Sequence, residues 1–133
     1  MRFQDDMLQA INALDTTVKA TNGFLLPIDQ NAALTLLPGG KRTFQDMAGN
    51  KELTLNFDYL IRSNDQRLVN SELWLVSDYL STLQEPEDFV QTHDDYGFQE
   101  LTITSVPSMS DVDERGSYVG LIEFQVVVED YDN

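Results

Sequence analysis

At 133 residues the chain has the length of one domain, since single cores commonly occupy about 100–150 residues. Eight Lys and Arg against 23 Asp and Glu leave a formal charge of −15, which repels phosphate backbones and anionic lipid and so disfavours nucleic-acid or membrane-surface binding through a basic patch. Seven Phe, five Tyr and one Trp within a 41% apolar composition can fill a core, and the lack of cysteine excludes disulfides, thiolate metal sites and cysteine nucleophiles.

From Arg2 to about Thr21, Phe3, Met7, Ala10, Ile11, Leu14 and Val18 recur at spacings of three and four. This predicts a helix with Gln4, Asp5, Asn12 and Asp15 on its polar face, stopped by Asn22-Gly23. Phe24-Leu25-Leu26, before Pro27, reads as an edge strand or a packed connector. Ala33 to Leu37 is a short strand ended by Pro38-Gly39-Gly40, and the next strand begins near Leu53. Pro38 to Asn50 is therefore expected to form a long hairpin loop, and loops of about 12 residues are often functional or interfacial. A plain hairpin tip is the alternative.

Leu53, Leu55, Phe57, Tyr59 and Ile61 alternate with Thr54, Asn56 and Asp58, which predicts a strand with one core face and one polar face. Within a few residues the period changes to helical: Val69, Leu73, Val76, Leu80 and Leu83 form a stripe widened by Leu68, Leu75 and Tyr79. Ser63-Asn64-Asp65 at the join can accept from the free N–H groups of the first helical turn. Trp74 lies off the stripe, as a core-edge residue or a subunit contact. Glu85 to Asp95 is an acidic connection pinned by Phe89 and Val90. Two strands follow, Phe98 to Val106 and Tyr118 to Glu129, joined by a polar loop, and Glu129 to Asn133 reads as a solvated tail. No apolar run approaches the roughly 18–20 residues that span a bilayer, and the start carries no signal-peptide pattern. The expectation is a soluble, unprocessed protein.

Chemistry-bearing motifs are few. His93 is the only histidine, beside Asp94 and Asp95 in a loop; with no second histidine to build a zinc site, an inert exposed side chain is the simpler reading. Asp111-Val112-Asp113-Glu114-Arg115-Gly116 begins like a calcium loop but has Arg115 at the fifth position and Ile122 at the twelfth, where a carboxylate is needed. Gly39-Gly40-Lys41-Arg42-Thr43 lacks the spacing and following helix of a phosphate loop. No catalytic, cofactor or metal residues are assigned, which points to a structural or binding role and not an enzyme.

The elements add up to an α+β domain over 1–133, of order α-β-β-α-β-β, with two helices packed on one face of a mostly antiparallel sheet. The segment Leu55-Asn56-Phe57-Asp58-Tyr59-Leu60-Ile61-Arg62-Ser63-Asn64-Asp65 entering a long helix, with the closing stretches Phe98 to Thr104 and Tyr118 to Val126, resembles the small tail-terminator proteins of long-tailed bacteriophages and the related phage minor capsid proteins. That resemblance implies a structural virion protein at the neck, assembled in the host cytoplasm. It would form a hexameric ring, cap the tail tube, meet the head connector and need no cofactor. A charge of −15 suits a lumen through which DNA passes without being gripped. Lys41, Arg42, Phe44 and Met47 are the expected contacts to a neighbouring subunit or the tail-tube protein. Two rival readings stand beside this one: an acidic DNA mimic that inhibits a host or phage DNA-binding protein, and a head-side neck completion protein.

Overall fold

The computed structural model describes residues 2–45, 51–105, 107–109 and 116–131, with the backbone course alone for 39–45. Helix α1 (Phe3–Asn12) leads into β1 (Ala20–Asn22), β2 (Asn31–Gln45), β3 (Lys51–Ser63), helix α2 (Gln66–Ser81), a 3-10 turn at Pro86–Asp88, then β4 (Tyr96–Ile103), β5 (Ser108–Met109) and β6 (Tyr118–Asp130). The sheet runs β1-β2-β3-β6-β4, with β5 also paired to β6. Among the described residues, only β1 with β2 is parallel. This is the expected α+β architecture, with two additional short strands.

Both helices cover one face. There Phe57, Tyr59 and Ile61 of β3 and Ile122, Phe124, Val126 and Val128 of β6 meet Phe3, Met7 and Ile11 of α1 and Val69, Leu73, Val76 and Leu80 of α2 in one buried cluster. Phe3 is the hub at one end, with ring centroids 5.8 Å from Phe57, 5.7 Å from Phe89 and 5.6 Å from Tyr96. Burying an aromatic of this size contributes about 1.5–3 kcal/mol, so one residue of α1 ties β3, the 3-10 segment and β4 together. The predicted N-cap of α2 is present: the Asp65 carboxylate accepts from the N–H groups of Arg67 at 3.1 Å and Leu68 at 3.3 Å. Gly120, paired with Ile61, lets α2 lie close to the sheet, because a Cβ there would stand 2.9 Å from a Val69 methyl and 3.2 Å from a Leu73 methyl.

Several boundaries shift by a few residues, β4 running Tyr96–Ile103 where Phe98 to Val106 was expected, and three segments differ more. Helix α1 ends at Asn12, not near Thr21, because the Asn12 side chain donates to the Ala20 carbonyl at 2.9 Å and accepts from the Ala20 N–H at 2.8 Å, turning the chain back. The Lys19 ammonium then donates to the carbonyls of Asn12 at 3.0 Å and Leu14 at 3.2 Å, which supplies the positive charge a helix C-terminus favours. Val18, in phase with the helical stripe, is buried from the connection instead. Phe24-Leu25-Leu26 is neither edge strand nor packed connector, since Phe24 and Leu26 point outward.

The third difference concerns the hairpin. Strand β2 continues through Pro38-Gly39-Gly40 as far as Gln45, pairing Lys41 with Thr54, Arg42 with Leu53 and Phe44 with Glu52. The turn-forming residues are absorbed by a shift in register between Leu37 and Lys41, the kind of irregularity that accommodates Pro and Gly in a strand.

Candidate functional site

The surfaces that could serve function are set by what the fold leaves outside the core. The connection from β1 to β2, residues 23–30, is pinned by side chains yet turns its own apolar groups to solvent. Asn31 holds it from below: its side chain accepts from the Leu26 N–H at 2.9 Å and donates to the carbonyls of Leu26, at 3.0 Å, and Ile28. The Arg62 guanidinium donates to the Leu26 carbonyl at 3.4 Å, and Asp29 accepts from the Asn64 N–H at 2.8 Å. Arg62, on the β3 face that carries Asn56 and Asp58, is buried beneath this connection. Phe24 is left 81% exposed, with Leu26 and Ile28 each more than half exposed. Apolar side chains on a backbone fixed this firmly form a standing surface, not a frayed loop.

A second polar construction lies inside the molecule. Asp6, on α1, is buried, and its carboxylate accepts from the N–H groups of Thr92 at 3.1 Å and His93 at 3.2 Å, the Tyr96 hydroxyl at 2.6 Å and the Thr92 hydroxyl. His93 Nδ1 stands 2.7 Å from the same carboxylate. Burial alone would raise the Asp6 pKa, but the donors from Thr92, Tyr96 and His93 outweigh it and hold the carboxyl at about 2. Burial, then the bond to Asp6, push the Tyr96 phenol well above its ordinary value. An anion whose acceptor capacity is filled in this way is a fastener between α1 and the segment entering β4. It has little capacity left for a substrate proton. His93, expected to be an inert exposed side chain, belongs to this fastener.

Glu72 does comparable work from α2: buried, it accepts from the N–H of Thr17 and from that of Val18 at 3.1 and 3.2 Å. It thereby anchors the turn that follows α1. Nearby, burial and then Glu72 raise the Tyr59 phenol far above its ordinary value.

The face of the sheet away from the helices carries in-register polar pairs across β3 and β6. Gln125 donates to Asn56 at 3.1 Å, and Asp58 faces Glu123. Burial, then the Glu123 charge, raise the Asp58 pKa. At the margins lie a surface cleft of ≈480 Å³ lined by Glu52, Glu85, Pro86, Glu100 and Val127 among others, and one of ≈310 Å³ formed by Gln66, Arg67, Asn70 and Met109. Among the described residues no group of three or more His, Asp or Glu side chains is placed to hold a metal, and no helix is long and apolar enough to cross a membrane.

Of the contacts expected from sequence, Lys41, Arg42 and Phe44 fall on the distal half of β2, where the backbone pairs with the start of β3. Met47 and the calcium-like residues Asp111 to Arg115 lie outside the described residues. Trp74 stands on α2 with 46% of its surface exposed. The Asp6 fastener escaped the sequence reading because its donors lie 86 to 90 positions away. The outward set Phe24, Leu26 and Ile28 did carry a local signal: three apolar residues at two-residue spacing around a proline, outside any periodic element.

No protein-family model matches the chain, and no curated protein does. Among solved structures, the chain is similar to one from "Virion of native gene transfer agent (GTA) particle", with a TM-score of 0.55 and 13% identity over 92% of this chain and 84% of the other. At that identity the likeness is one of fold.

Proposed function

We propose that this chain is a structural virion protein, a tail-terminator-like single domain that forms a ring on the end of a phage-type tail tube and joins it to the head connector. The observation that carries the reading is the likeness of fold, over 92% of the chain, to a chain of a gene transfer agent virion. The sequence resemblance and the acidic balance agree with it. The buried carboxylates Asp6 and Glu72 are consumed in holding loops, so they serve architecture. A charge of −15 on each copy gives a ring that does not retain DNA phosphates as the genome passes. The distal β2–β3 hairpin, with Lys41, Arg42, Phe44 and Met47, supplies a contact to the tail tube or to a neighbouring subunit.

The test is genetic and visual. Removing the gene from the particle-producing genome should leave filled heads and separate tails of irregular length in electron micrographs. Normal infectious particles would overturn the reading. Deleting residues 39–49 should give the same unjoined tails, and tails of normal length joined normally to heads would exclude the hairpin as the contact.

A further inference from the structure

Exposed apolar residues gather at both ends of the strand order. At the β1 end stand Phe24, Leu26 and Ile28 on the pinned connection described above. At the β4 end stand Tyr131 and Val90, which was expected to pin its connection with Phe89 but is 80% exposed, leaving Phe89 alone to do so. Val90 is held out by its neighbours on either side. Phe89 is buried against Phe98, with ring centroids 5.0 Å apart, and Gln91 donates to the Tyr96 carbonyl at 2.9 Å and accepts from the Phe98 N–H at 2.8 Å. Tyr131 lies over Gly97 of β4, where a Cβ would collide with its hydroxyl, and its N–H donates to the Asp95 carbonyl at 3.1 Å.

Charge separates the two ends. From Gly23 to Leu37 the only ionisable side chain is Asp29, which accepts from the Asn64 N–H. Around Val90 the sequence is densely acidic, with Glu85, Glu87, Asp88, Asp94 and Asp95. Two β4 ends brought together would set these carboxylates against their own copies, which is repulsive. An acidic end meeting a carboxylate-poor one avoids that repulsion; two carboxylate-poor ends avoid it too, but such an isologous pair stops at two copies and builds no ring. For a chain of net charge −15, the carboxylate-poor surface is the one that another copy can approach at least electrostatic cost.

We propose that the Phe24, Leu26 and Ile28 surface docks on the Val90 and Tyr131 surface of a second copy of this chain, head to tail. Two different patches on opposite edges of the sheet make a heterologous contact, which propagates from copy to copy and closes into a ring where the rotation between copies permits. The inference rests on the ring reading for its purpose, but it is testable without any particle.

The experiment is sedimentation of the purified chain over rising concentration at about 0.5 M salt, where exposed charges are screened beyond roughly 4 Å. Wild type should associate. Phe24→Glu and Val90→Glu should each weaken association at least tenfold while melting like wild type. Their equimolar mixture should recover pairing but stop at pairs, because each variant keeps one intact patch. Phe24→Ser and Val90→Ser serve if either glutamate variant fails to fold. A wild-type chain that remains monomeric, single variants that associate like wild type, or folded variants that do not pair when mixed would each overturn the proposal. Association of this kind in a chain absent from particles would overturn the function reading alone. A tail-located chain whose Phe24→Glu variant still assembles normally would overturn this inference alone.

Discussion

Replacing Asp6 with Asn keeps the shape of the side chain but removes the negative charge and turns one acceptor into a donor. That donor would face the N–H groups of Thr92 and His93 and the Tyr96 hydroxyl. Leaving buried donors unmatched costs about 1–3 kcal/mol each before relaxation, so about 3 kcal/mol is expected for the site. With an unfolding entropy of roughly 2.1 cal/mol/K per residue, a chain of 133 residues should lose about 10 °C in Tm. The pH dependence gives an independent reading. The Asp6 carboxyl sits at about 2 against an ordinary 3.8, so as pH falls the unfolded chain takes up the proton first. Its stabilisation is complete well above pH 3.8 and is lost as pH falls toward 2. At 1.36 kcal/mol per unit the shift is worth about 2 kcal/mol, of which roughly half is gone by pH 3. Circular-dichroism melts of wild type and Asp6→Asn at pH 7 and pH 3 should therefore show a gap of about 10 °C that narrows by about 4 °C in acid. A variant melting within about 2 °C of wild type at pH 7, or a gap of equal size at both pH values, would refute the claim that a buried anion holds α1 to the β4 entrance.

Gly120→Ala drives a methyl to 2.9 Å from Val69 and 3.1 Å from Ile61, so overpacking should lower stability by about 1–3 kcal/mol in urea denaturation; an unchanged midpoint would mean that α2 has slack above the sheet. Asp58→Asn removes a carboxylate that is desolvated and faces Glu123. Because the folded-state pKa of Asp58 is raised, its ionisation opposes folding as pH rises through that value. The variant should gain about 0.5 kcal/mol at pH 7 and nothing at pH 3, and a loss of stability at pH 7 would show that the Asp58 charge is needed.

What the sequence made legible was local. The step from Ile61 to Val69 carried its own period change and its own cap, and Asp65 caps the helix at the expected place. The alternation from Ile122 to Val128 likewise survives as the core face of β6. The helical stripe misled at Val18, where burial is real but comes from a chain turned back by Asn12, and three residues of β1 are too few to display a period. Pro38-Gly39-Gly40 reads locally as a stop, but the partner strand extends pairing to Gln45. The polar fasteners were the least accessible, because an Asp in an amphipathic helix looks the same whether solvent or five distant donors surround it. Exposure at Phe24 and Val90 depends on neighbours holding the backbone, which spacing along the chain does not encode.

Strand β6 lies between β3 and β4 in space although it follows both in sequence. Its thirteen residues pair with β3 along the full length from Lys51 to Ser63. On the ribosome, the β6-facing edges of β3 and β4 stay open until residues 118–130 emerge, so this part of the sheet depends on slow long-range closure. Exposed strand edges recruit other strands, so a truncated or stalled nascent chain is a hazard to its neighbours.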